Sequence, residues 1–78
     1  MVADDASRTA RAQELVEIYR SRSRDLHLED AARASSVVGQ MLVEVERAER
    51  VRSDAAARLA EEALVAATRL MHELHPTD

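Results

Sequence analysis

Apolar residues recur along this chain at intervals of three and four, the spacing of one helix face, and no extended run of Val, Ile, Thr or aromatic residues alternates with polar residues as in a strand. A first stripe consists of Ala12, Leu15, Val16, Ile18 and Tyr19. The single Gly and the single Pro leave almost nothing to interrupt a helix. Ala, Leu, Arg and Glu, all strong helix formers, dominate the chain. The pattern predicts an all-α fold.

The elements are predicted within a single helical domain, residues 1–78: a helix at about 4–23, a turn at about 24–28 and a long helix at about 29–75. Each predicted helix begins with acidic residues, and the first ends with arginines, as the helix dipole favours. Ser and Asp in the turn can cap the second helix.

An apolar seam follows the predicted long helix. It consists of Ala31, Ala34, Ser35, Val38, Met41, Leu42 and Val45 and, after a gap, of Ala56, Leu59, Ala60, Ala63, Ala67, Leu70, Met71 and Leu74. Steps of about 100° per residue place both groups on one side of an unbroken helix. In the gap, Glu49 and Arg52 fall on this apolar side.

Two interpretations of the gap compete. In the first, the helix continues and has a polar waist, a short polar segment that interrupts the apolar seam. In the second, the helix breaks near Arg52-Ser53-Asp54 and the chain forms three helices, with Ser53 or Asp54 as the N-cap of the last one. A ladder of alternating charges at i, i+4 spacing crosses this point: Glu46, Arg50, Asp54, Arg58 and Glu62. With no Gly or Pro to turn the chain there, we favour a helical hairpin with a long, continuous second helix.

A helix from 29 to 75 would be roughly 70 Å long, and the first helix is too short to cover it. Since exposed apolar seams are rare in monomers, we expect a second copy to complete the bundle as a homodimer with coiled-coil-like packing. The predicted interface residues are Val38, Met41, Leu42, Val45, Leu59, Leu70, Met71 and Leu74. Small residues at three- and four-residue spacing predict close helix packing at Ala32, Ser35, Ser36 and Gly39.

Composition and charge narrow the function. All eleven basic residues are Arg, and the formal net charge of −4 argues against a dedicated binder of nucleic acid or anionic membrane. The absence of Cys excludes disulfides and thiolate metal sites. The N-terminal sequence is acidic, which argues against a signal peptide, and no apolar run approaches the roughly 20 residues of a membrane span. We therefore expect a cytoplasmic protein.

No constellation predicts catalysis, so we expect neither an enzyme nor a cofactor. The chain has no glycine-rich phosphate loop and no Ser in a glycine elbow, and its carboxylates lie on solvated faces. His72 and His75 are one turn apart, but a zinc site needs a third protein ligand. A metal-binding bundle through these histidines is the least favoured hypothesis.

The sequence therefore predicts a protein–protein interaction module, a regulatory, adaptor or assembly factor whose partner is itself or another protein. The alternative is a small nucleic-acid-associated regulator that uses the basic face from Arg8 to Arg24. In that alternative Arg20, Arg22 and Arg24 contact phosphates, with Tyr19 as the one aromatic available for base stacking.

Overall fold

Three helices and two short connections form the part of the chain that the structure, a computed structural model, describes: residues 5–74. The elements are α1 (Asp5–Arg22), a 3-10 turn (Ser23–Asp25), α2 (Leu28–Val51) and α3 (Asp54–Glu73). No strand occurs within these residues, and the predicted all-α class is confirmed.

The first helix and the first turn lie close to their predicted positions. The start of α2 differs in one respect, because its N-cap is His27, whose side chain makes no capping hydrogen bond. No Ser or Asp of the turn caps this helix. Glu29 and Asp30 instead place negative charge in its first turn, where they stabilise the positive end of the helix dipole.

The predicted continuous helix over 29–75 is wrong, because the chain turns back at Arg52 and Ser53. Arg52 adopts the left-handed conformation, with φ 57° and ψ 40°, and its N–H donates to the Ala48 carbonyl at 3.0 Å. The Ser53 side chain then accepts a hydrogen bond of 3.1 Å from the backbone N–H of Ala56 and caps α3. The three-helix alternative is the observed arrangement.

The energetics of burial explain why the chain turns without a glycine. A left-handed conformation costs an L-residue such as Arg52 about 1–2 kcal/mol. The turn brings the two halves of the apolar seam together, and burying a large side chain such as Val38, Met41 or Leu64 contributes roughly 1.5–3 kcal/mol each. Burial of the seam outweighs the strain of one residue.

The same turn divides the predicted charge ladder. Glu46 and Arg50 remain on α2, with carboxylate and guanidinium 3.7 Å apart. Asp54, Arg58 and Glu62 now lie on α3, so they cannot continue the α2 row. Exposed i, i+4 pairs of this kind contribute about 0.3–0.5 kcal/mol, too little to hold a helix straight against the burial that the turn makes available.

The helices form an up-down-up bundle. Positions 11 and 22 of α1 contact positions 61 and 71 of α3 in the same order, so α1 and α3 are parallel, and α2 is antiparallel to both. The longest dimension is 42 Å, well short of a 70 Å arm. The core contains the buried apolar residues Ala12, Leu15, Ala34, Val38, Met41, Val45, Ala48, Ala56, Ala60, Leu64, Ala67, Leu70, Met71 and Leu74.

Replacing Arg52 by Gly is expected to raise the free energy of unfolding by about 1 kcal/mol, because Gly adopts the left-handed conformation without strain. The matched control is Arg50→Gly in the last turn of α2, which should lower it by about 1 kcal/mol because Gly is a poor helix former and the pair with Glu46 is lost. Urea denaturation measures both. If Arg52→Gly destabilises the protein as much as Arg50→Gly does, residue 52 lies within a helix and the turn is refuted.

Candidate interaction surfaces

Charged side chains hold the start of α1 against α3. Arg8 is only 6% exposed, and its guanidinium pairs with Asp5 on its own helix and lies 3.8 Å from the Glu61 carboxylate of α3. Arg11 donates two hydrogen bonds to the same carboxylate, at 3.1 and 2.6 Å. The Glu61 carboxylate therefore interacts with two arginines of α1, and these contacts fix the position of α1 along the axis of α3.

A second contact joins α1 to α2. The Thr9 hydroxyl donates to the carboxylate of Glu49. Glu49 was predicted to form part of a polar waist on a continuous helix. The structure shows that it lies on the apolar side of α2 because it faces the N-terminal half of α1.

Glu61 and Arg11 also shift each other's proton affinity. The hydrogen bonds from Arg11 lower the pKa of the Glu61 carboxyl below its ordinary value. The charges of Arg11 and Arg8 lower the pKa further, while partial burial opposes the shift. The same hydrogen bonds raise the pKa of Arg11, so the pair is fully charged at neutral pH.

A half-open groove of about 540 Å³ lies between α1 and α3. Its apolar floor includes Leu15, Ile18, Leu64 and Val65, the last of which is 46% exposed. The remaining lining residues are Arg11, Glu14, Arg22, Thr68, Arg69, Met71 and His72. The groove thus combines an apolar floor with a rim in which arginines outnumber carboxylates.

A different surface lies on the solvent side of α2. We call it the α2 outer face, and it consists of Ala32, Ser35, Ser36, Gly39, Leu42 and Val43. All six residues are exposed, and residues 34–43 contain no charged side chain although one third of the whole chain is charged. The predicted close packing at the small residues does not occur among residues 5–74: all four are exposed, and a Cβ built on Gly39 would meet no atom of a neighbouring element within 4 Å.

The predicted interface residues divide into two groups. Six of the eight are buried in the chain's own core: Val38, Met41, Val45, Leu70, Met71 and Leu74. Leu42 and Leu59 are exposed, by 42% and 43% respectively. The buried six need no second copy to cover them, because the turn at Arg52 does so within one chain.

The predicted basic face is divided as well. Arg8 and Arg11 point to Glu61 rather than to solvent phosphates. Arg20, Arg22 and Arg24 are exposed. Arg20 pairs with Glu17 at 3.4 Å, and Arg22 donates to the Met71 carbonyl at 3.2 Å. No single arginine surface extends from Arg8 to Arg24.

The histidines are not grouped with other metal ligands. His72 is exposed on α3 and lines the groove, while His75 lies outside the described residues. Within residues 5–74 no three His, Cys, Asp or Glu side chains are placed to hold a metal ion together. His27 is exposed at the start of α2.

Comparison with protein-family models, with curated proteins and with solved structures finds no match to this chain. None of the described helices has the length and apolarity needed to cross a membrane.

Sequence reasoning missed the groove and the buried arginine. Arg8 lies four residues before Ala12 and seven before Leu15, so helical spacing alone places it on the apolar stripe of α1. This spacing could have identified Arg8 as a residue that faces the core. The groove was not predictable in the same way, because Val65 and Arg69 line it only after α3 has folded back beside α1.

The Glu61 pair generates a pH prediction. Because the pKa of Glu61 is lowered on folding, its charged form stabilises the fold above the unfolded carboxyl pKa of about 4.3, and this contribution disappears as the pH falls through the folded value. Glu61→Gln should therefore lower the melting temperature at pH 7 and make little difference near pH 3. The control, Glu62→Gln, removes an exposed carboxylate one residue away. A Glu61→Gln deficit that is equal at both pH values would contradict the assignment.

Proposed function

We propose that this chain is a small helical protein–protein interaction module, a regulatory, adaptor or assembly factor that associates with a second copy of itself. The observation that carries the proposal is the α2 outer face, an exposed and uncharged helix surface on a chain rich in charge. Leu42 and Val43, 42% and 57% exposed, give this face its apolar side chains.

Charge supports a second copy as the occupant. Each copy has a formal net charge of −4, and two such copies repel each other over most of their surfaces. The six side chains of the α2 outer face carry no charge, so they add nothing to this repulsion and lose no ionic hydration when two such faces meet. The module is thus most easily joined to itself through α2.

Backbone geometry supports the same face. Gly39 lies in a helix interior, where Gly costs about 1 kcal/mol relative to Ala. No atom of the neighbouring elements within residues 5–74 lies within 4 Å of a Cβ built there, so contacts among the described residues do not require a glycine. A second helix that approaches the backbone closely at Gly39, with Ser35 and Ser36 beside it, would account for the small side chains.

The nucleic-acid alternative has less support. The arginines that would have formed one basic face are divided between ion pairs with Glu61 and Glu17 and a hydrogen bond to a backbone carbonyl. Arg24 remains exposed, and Tyr19 is half-buried against the core rather than presented for stacking. The metal hypothesis has no third described ligand near His72.

Native mass spectrometry over a concentration series tests the proposal. We expect a homodimer for the unaltered chain and a dissociation constant at least about tenfold higher for Leu42→Glu, because the variant replaces apolar burial with a desolvated charge. The matched control is Leu59→Glu, since Leu59 has nearly the same exposure but lies on α3 outside the α2 outer face. This control should remain dimeric.

Two results would contradict the proposed self-association. One is an unaltered chain that stays monomeric throughout the series. The other is a dimer that Leu59→Glu dissociates and Leu42→Glu does not, which would place the interface on α3. Circular dichroism of each variant verifies that the helices are retained.

A further inference from the structure

We propose that the groove between α1 and α3 binds an acidic amphipathic helix of another protein. This site is separate from the α2 outer face and goes beyond the proposed self-association. The inference depends on the shape of the groove, on the chemistry of its floor and on the charge of its rim.

The shape of the groove suits a helix. Its lining on α1 extends from Arg11 to Arg22, eleven residues or about 16 Å, which is the length of three helical turns. Two parallel helices flank it, so a further helix laid between them would complete a four-helix bundle. Because the groove is open along one side, it would leave much of a small ligand in water, whereas a helix inserts one face and keeps its other face solvated.

The floor supplies apolar contacts. Leu15 and Leu64 form its buried base, Ile18 is half-buried, and Val65 remains 46% exposed. These side chains belong to facing helices and lie within two turns of one another along the groove axis. Apolar residues at i, i+3 or i+4, and i+7 on an incoming helix would meet such a floor, as in other helix-in-groove complexes.

The rim determines the charge of the partner. Arg11, Arg22 and Arg69 line the groove together with one carboxylate, Glu14. Arg11 is paired with Glu61, but neither Arg22 nor Arg69 pairs with the carboxylate of another described residue. Within residues 5–74, a chain with a net charge of −4 thus presents two guanidinium groups without a carboxylate partner beside this apolar groove. Glutamates that flank the apolar stripe of a partner helix would match them.

The position of the groove gives the module two separate surfaces. In a bundle of three helices, the groove between α1 and α3 faces away from the outer side of α2. A dimer formed through the α2 outer face would therefore leave both grooves free to bind partner helices. Such a dimer could join two acidic helices, which is the action of an adaptor.

The test uses a synthetic peptide helix of Leu, Ala and Glu, with Leu at i, i+3, i+4 and i+7, and a twin in which every Glu is Lys. Titrations of the full-length chain are followed by amide NMR shifts and calorimetry. We expect the Glu peptide to bind and to shift residues of α1 and α3 around the groove, and the Lys twin to bind at least about tenfold more weakly.

Substitutions at the rim and floor of the groove test whether the peptide binds there. Arg22→Gln with Arg69→Gln should weaken the Glu peptide about tenfold, and Val65→Glu should abolish binding without touching the core. Because Arg22 also bonds the Met71 carbonyl, Arg69→Gln alone is measured as well, and it should weaken binding in the same direction. The charge-matched control is Arg33→Gln with Arg47→Gln, two exposed α2 arginines outside the groove, which should leave binding unchanged.

Four results would overturn the proposal. They are equal binding of the two peptides, shifts confined to α2, a groove variant that binds like the unaltered chain, and binding of dodecanoate in the groove with no binding of either peptide. The last result would make the groove a site for an acyl chain instead of a protein helix. Since Leu42→Glu leaves the groove intact, peptide binding by that variant separates this proposal from self-association.

Discussion

The turn at Arg52 and Ser53 is the constraint on which the rest of the structure depends. One residue in the left-handed conformation and one serine cap reverse the chain, and the two halves of a single apolar seam then cover each other. The strain of about 1–2 kcal/mol at Arg52 is small beside the burial that it permits. Because the seam is closed within one chain, Val38, Met41, Val45, Leu70, Met71 and Leu74 are buried without a second copy.

The surfaces that remain follow from that closure. The α2 outer face presents small and uncharged side chains together with Leu42 and Val43. Where α1 lies beside α3, the pairs of Arg8 and Arg11 with Glu61 fix the start of α1, and a groove with an apolar floor extends toward the helix C-termini. One surface has no charge and the other has excess positive charge, so they suit different partners.

The sequence predicted the helical class, the limits of α1 and the identity of most core residues, because helical spacing alone determines which side chains share a face. It did not predict the turn. A left-handed Arg52 carries no residue signature, and the i, i+4 ladder from Glu46 to Glu62 pointed to a straight helix although such pairs are weak. Once the turn was missed, six residues that pack in one chain's own core were assigned to a contact between chains. The groove depends on how α1 and α3 pack together, which spacing along one helix does not determine.

The most direct test of this account is the distance between spin labels on cysteines introduced at Gln40 and Ala66. Both positions are exposed, and the chain contains no other cysteine to label. With a turn at Arg52, the labels lie on neighbouring antiparallel helices whose axes are about 10 Å apart. Double electron–electron resonance spectroscopy should then give a distance between the labels below roughly 20 Å. A distance near 39 Å, the length of 26 residues of straight helix at about 1.5 Å each, would contradict the turn and restore the continuous arm.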